Sequence, residues 1–177
     1  MNTKNMVKIG LFAILTAVGA YISIPLFYVP FTLQIVFTLL SGILLGSKNG
    51  AYSQIVYLLL GLIGLPIFSG GTGGIQTVLK PSFGYIIGFI FGAYIVGKIV
   101  EGYKSFNILN VFLATVVGVF IIYLFGVTYL YLILNLYMNK GVTLFWVLKN
   151  GLFIFLPIDI LKCFIASIVG LKIKRHI

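Results

Sequence analysis

Apolar runs, broken by short polar or glycine-rich stretches, set the pattern of the chain. A helix needs roughly 17–25 mostly apolar residues to cross about 30 Å of hydrocarbon. On that measure the runs predict spans at about 7–24, 31–46, 50–65, 82–100, 107–130 and 151–171. Pro25 and Pro30 bracket the first break, and Ser47, Lys48 and Asn49 make a tight turn at the second. A glycine-rich loop over 66–81 follows, then a polar loop from Glu101 to Ser105 and a stretch rich in Tyr and Asn from Tyr131 to Asn150. Strands of a membrane barrel would alternate in runs of about ten residues, and these runs are continuous. The pattern predicts an all-α integral membrane protein, one domain over 1–177 with six transmembrane helices. Five spans follow the first, so it reads as an uncleaved helix rather than a signal peptide.

Composition agrees. Of 177 residues, 61% are hydrophobic and 8% charged, against about a quarter charged in soluble domains. That excludes an ordinary soluble enzyme, a disordered chain and a disulfide-built module; Cys163 is the sole cysteine. The net charge of +10 would suggest nucleic acid in a soluble protein. Here the cations sit between apolar runs, facing lipid headgroups, and no nucleic-acid partner is expected. With the N-terminus inside, the inner segments hold Lys4, Lys8, Lys48, Lys98, Lys104, Lys172, Lys174 and Arg175. The outer segments hold only Lys80, Lys140 and Lys149. This bias predicts a multi-pass cell-membrane protein with both termini cytoplasmic. Tyr129, Tyr131, Tyr137 and Trp146 then fall at the outer interface.

Asp159 and Lys162 carry the sharpest chemical signal. Charges at membrane depth are costly and usually face a partner inside the bundle, and a spacing of three puts both on one helix face. They form either a self-neutralising packing pair or a polar ligand site, with Asp accepting N–H groups and Lys donating to oxygens. Pro157 is expected to disturb the ladder beside them and free a carbonyl. The second signal is the loop containing Phe68, Gly70, Gly71, Gly73 and Gly74, whose glycines allow close backbone approach to a ligand or simply make a flexible connector. It lacks a phosphate-binding GxxxxGK[ST] pattern. Gln76, Thr77 and Lys80 follow it with an amide, a hydroxyl and a cation. Third, Ala13 and Ala17, with Gly10 and Ala20, form a small-residue stripe that serves packing or docking of a membrane subunit. Glu101 reads as a surface ion pair with Lys98 and Lys104, and Cys163 as a packing residue. His176 alone makes no metal site. No nucleophile–base set can be assembled, so no enzyme, metal or resident cofactor is expected.

Together these residues resemble the BioY family, the biotin-specific S-components of energy-coupling-factor (ECF) vitamin transporters. The likeness rests on Val29-Pro30-Phe31-Thr32-Leu33-Gln34, the Leu-Leu-Gly-Ser turn at 44–47, and Tyr57 through Phe68 leading into the glycine loop. Gly84 through Phe89 and Pro157-Ile158-Asp159-Ile160-Leu161-Lys162 complete it. The chain departs from the family at Lys80-Pro81-Ser82-Phe83-Gly84, where Lys80 and Phe83 stand at positions commonly small. The resemblance implies the ECF S-component fold and high-affinity capture of biotin from outside. It also implies docking, through the stripe at Ala13 and Ala17, onto a membrane coupling subunit (EcfT-like) served by two cytoplasmic ATPases that use ATP. The S-component would topple in the bilayer to release its vitamin inside. Asp159 would accept from the urea N–H groups, while Lys162 would donate to the urea oxygen or pair with Asp159. Gln76 would offer an amide and Lys80 would meet the carboxylate. Gly71, Gly73 and Gly74 would shape the lid, and Phe68, Tyr85 and Phe89 would enclose the rings. The alternatives are an S-component for another vitamin or a biotin precursor, or a structural membrane protein with a packing Asp–Lys pair.

Overall fold

A computed structural model of the chain describes residues 2–26, 28–103 and 106–175. The fold is helical: α1 (Thr3–Tyr21), α2 (Gln34–Leu62), α3 (Phe83–Gly102), α4 (Ile108–Leu132), α5 (Leu144–Leu148) and α6 (Leu156–Lys174). A small antiparallel ribbon, β1 (Ser23–Ile24) with β2 (Phe31–Thr32), joins α1 to α2. A 3-10 turn occupies Ile75–Leu79, and π turns occupy Ile133–Tyr137 and Lys149–Phe153. Polar side chains open three of the helices. Asn2, Asn107 and Thr143 each accept from a backbone N–H of the first turn, filling donors that the helix leaves free.

α2 is two helices. Gly46 sits inside it at φ 80° and ψ 179°, a conformation that favours glycine. Across it the chain folds back on itself. Gln34 Nε2 donates to Tyr57 Oη at 2.6 Å, Thr38 Oγ1 to Gln54 Oε1 at 3.3 Å, and Gln54 Nε2 to Ser41 Oγ at 3.3 Å. In an unbroken helix these partners would lie roughly 20–35 Å apart along the axis. Residues 34–45 and 47–62 therefore run side by side and antiparallel. The tight turn expected at Ser47, Lys48 and Asn49 is in fact Gly46 alone, and those three residues form the first turn of the returning half.

Two remote charges cap this turn. Glu101 accepts from Ser47 N and Ser47 Oγ, each at 2.8 Å. Lys174 Nζ donates to Ile43 O at 3.0 Å and lies 4.6 Å from the Phe106 ring centroid. Glu101 thus serves as a helix cap, its carboxylate taking a free N–H at the start of the returning half, while the ion pair expected with Lys104 falls on a residue outside those described. Lys104 and His176, considered above, lie outside the described residues.

Among the described residues, four stretches are long and apolar enough to cross a membrane: Thr3–Tyr21, Phe83–Gly102, Ile108–Tyr137 and Leu144–Lys174. Neither half of α2 reaches 18 residues, so the second and third expected spans are not among these four and are observed as helices over 34–45 and 47–62. The fifth runs past its expected end into the π turn. The sixth does not start as one helix at 151: α5 and a π turn precede α6, and Pro157 lies in the first turn of α6. There its missing N–H breaks no helical bond, so it opens a helix rather than disrupting one.

The hydrophobic core runs down the bundle through Leu39, Ile43, Val96, Ile122 and Leu130. A seam of Thr16, Thr38, Ser41, Ser53 and Gln54, all at 0% exposure, joins α1 to both halves of α2 by hydrogen bonds. At one end, the turn end, lie Gly46, the start of α1, the end of α3, Phe106 and the end of α6. At the other, the loop end, Tyr21 Oη donates to Pro66 O and Tyr129 Oη to Val78 O, and Tyr28 meets Trp146 edge-on at 5.8 Å.

Candidate functional site

A chamber opens at the loop end and encloses about 680 Å³ of empty space, mouth included. Its floor comes from α6 and α4. Leu156 and Pro157 start α6 so that Asp159 falls in its first turn, where the helix dipole favours a carboxylate. Asp159 is 2% exposed and Lys162 4%. Lys162 Nζ lies 2.7 Å from Asp159 Oδ1, and Tyr123 Oη donates to Oδ2 at 2.5 Å. Lys162 also donates to Thr32 O at 2.7 Å and sits 3.7 Å from the Phe31 ring centroid.

These contacts divide the pair's chemistry. An ammonium has three protons and no acceptor. Two of them are hydrogen-bonded, and the charge rests against an aromatic face. The lysine therefore ties β2 to the floor. The carboxylate has about four lone-pair positions and receives two bonds, so it keeps acceptor capacity toward the chamber. The floor accepts N–H groups and carries no net charge.

The walls are largely apolar. Tyr85, Phe89, Phe155 and Ile35 are buried and face the chamber. Tyr85 Oη donates to Gly151 O at 2.6 Å, which leaves its ring as the contacting surface. The roof is the glycine loop. Phe68 N donates to Thr72 O at 2.9 Å, and Gly70 and Gly71 turn between them at φ 76° and 66°. Phe68 is 3% exposed and packs edge-on to Tyr57 at 5.4 Å. Lys80 Nζ donates to Thr72 Oγ1 at 3.0 Å at the rim.

Of the residues singled out in the sequence, the fold gathers Asp159, Lys162, Phe68, Tyr85, Phe89 and Lys80 around one chamber. Gln76 is exposed and turns its amide back to Gly73 O at 2.7 Å. Gly71, Gly73 and Gly74 shape the loop and do not line the chamber. Lys80 and Phe83, the departures from the family pattern, both line it, and Phe83 is 6% exposed. Ala13 is 2% exposed and packs with Tyr57 and Phe68, and Ala17 packs against the same cluster. Ala13 thus serves the bundle itself, while the outward side of α1 carries Val7, Leu11, Ile14 and Val18. The site also includes residues that the sequence did not mark. Tyr123 is one of eleven tyrosines and stands in a mostly apolar helix, so nothing local distinguishes it. Thr32 and Gln34 stood in the proline-led motif without a role.

A family model described as the BioY family matches residues 1–177. A probable biotin transporter BioY from Lysinibacillus sphaericus is 50% identical over 138 residues, covering 78% of this chain and 70% of that protein. The biotin transporter BioY of Thermotoga maritima is 39% identical over 176 residues, 97% of this chain and 96% of its own. Among solved structures, the S-component for biotin from an ECF-type ABC transporter superposes with a TM-score of 0.86 at 26% identity. That match covers 99% of this chain and 95% of the other.

Proposed function

We propose, from the premise that the chain belongs to the BioY family, that it is the biotin-binding S-component of an ECF-type importer. One observation carries the reading: a neutral Asp159–Lys162–Tyr123 floor with spare acceptors, set beneath aromatic walls in a chamber open at one end. Biotin has a urea with two N–H donors, an apolar sulfur ring and an acidic tail. The urea would lie on the floor with N–H donated to Asp159. The ring would lie among Phe68, Tyr85 and Phe89, and the carboxylate would reach the rim near Lys80. Lys162 would hold Asp159 in place. A pair that only locked packing would gain nothing from facing a chamber.

In the same reading the six helical passages (α1, the two halves of α2, α3, α4 and α6) cross the bilayer, and residues 1–177 act as one domain. Lys4, Lys8, Lys48, Lys98, Lys172, Lys174 and Arg175 gather at the turn end, which supports placing that end and both termini in the cytoplasm. A membrane coupling subunit and two ATPases would supply the energy from that side. Equilibrium binding of biotin to the detergent-purified protein tests the reading. Tight binding that collapses in Asp159→Asn and Lys162→Ala is expected; equal affinity in all three proteins would end the assignment.

A further inference from the structure

Gln34 begins the first half of α2, is 4% exposed and lines the chamber. Its carboxamide orientation follows from a chain of hydrogen bonds. Ile67 O in the loop can only accept, and it takes the single proton of the Tyr57 hydroxyl at 3.1 Å. Tyr57 Oη must then accept from Gln34, which places Nε2 against it at 2.6 Å. The carbonyl oxygen Oε1 points elsewhere. Among the described residues no donor is bonded to it, yet no sealed-off side-chain oxygen or nitrogen lacks a partner. Oε1 is therefore not sealed off, and the chamber is the space that Gln34 lines.

We infer that Gln34 is a specificity-determining contact whose carbonyl oxygen reads a ligand N–H, with Tyr57 fixing that polarity and tying the contact to the glycine loop. This rests on the biotin reading and deepens it. The chamber then presents two acceptors, Asp159 and Gln34, whose neighbouring donors are already committed. A ring urea with two N–H groups satisfies both, and a ligand with one N–H leaves a buried acceptor unpaired. The relay gives occupancy a route to the roof. A ligand N–H on Oε1 holds the amide, the amide holds Tyr57, and Tyr57 holds Ile67 beside Phe68. Tyr57 is fully buried and packs edge-on to Phe68, so loss of its hydroxyl alone leaves the shape intact.

The test uses the full chain in detergent with biotin and its two mono-N-methylated ureas, together with amide exchange across residues 66–74. In wild type each methylation should weaken binding. Gln34→Leu should lower biotin affinity about tenfold, and one of the two methylations should then carry no further penalty. Tyr57→Phe should lower affinity severalfold and speed loop exchange in the ligand-free protein, with the global melting temperature as the check on folding. Wild type and Gln34→Leu binding all three ligands with identical ratios would overturn the contact, and unchanged loop exchange in Tyr57→Phe would overturn the relay. A wild type that ignores biotin would instead sink the biotin reading first.

Discussion

The chain has only two acidic residues, and the two ends of the bundle use them differently. At the turn end, Glu101 takes the backbone N–H and hydroxyl of Ser47, while Lys174 serves a carbonyl on the other side of Gly46. Both charges are spent on backbone groups that a reversal between short helices leaves free. At the loop end, among the described residues, the Asp159 carboxylate is held by side chains alone, Lys162 and Tyr123, and its own backbone N–H is paired with Phe155 O. One acid completes the fold. The other is buried more deeply, positioned by partners and left with unused lone pairs facing a cavity. Unspent bonding capacity, more than burial or charge, separates a site from a structural contact here.

The comparison predicts unequal consequences for the same chemical change. Asp159→Asn should weaken biotin binding the most, by at least about 100-fold, because it leaves the Lys162 charge buried without its counterion. Calorimetric titration measures this. Glu101→Gln keeps a carbonyl acceptor but takes the charge from the cap, a loss of about 1 kcal/mol. It should lower the melting temperature while leaving biotin affinity unchanged. A loss of affinity there would blur the distinction between the two ends. Gly46→Ala should destabilise by about 1–3 kcal/mol, since φ 80° and ψ 179° form a backbone conformation essentially restricted to glycine and the new Cβ would clash with Glu101 Oε1, again without changing affinity per folded molecule. Lys80→Ala should have the smallest effect. The residue is exposed at the rim, so affinity should fall only a few-fold and the difference should fade as salt screens it. An effect that ignores ionic strength would argue against a carboxylate at Lys80.

The two ends also differed in how far the sequence exposed them. Asp159 and Lys162 were legible because ionisable groups inside an apolar run have few explanations and their spacing fixes a shared face. Aromatic residues beside glycines marked Phe68, Tyr85 and Phe89. Tyr123 and Gln34 were not legible as site residues. Their roles come from tertiary neighbours 36 and 23 positions away in the sequence, and neither local pattern departs from its surroundings. Glu101 reads in the sequence only as a surface ion pair because lysines three residues away look like partners; its cap on Ser47, 54 positions back, leaves no local mark. Gln76 followed the glycine loop closely enough to suggest a ligand amide, but a turn of this tightness supplies its own acceptor at Gly73. Ala13 sits at a docking spacing, yet the large rings of Tyr57 and Phe68 need a small neighbour.

The most direct measurement is an experimental structure of the chain with biotin bound. The account predicts the urea ring on the chamber floor, with one N–H within hydrogen-bond distance of Asp159 and Lys162 still bonded to both Asp159 and Thr32. Biotin seated with its carboxylate at the floor, or outside this chamber altogether, would contradict it.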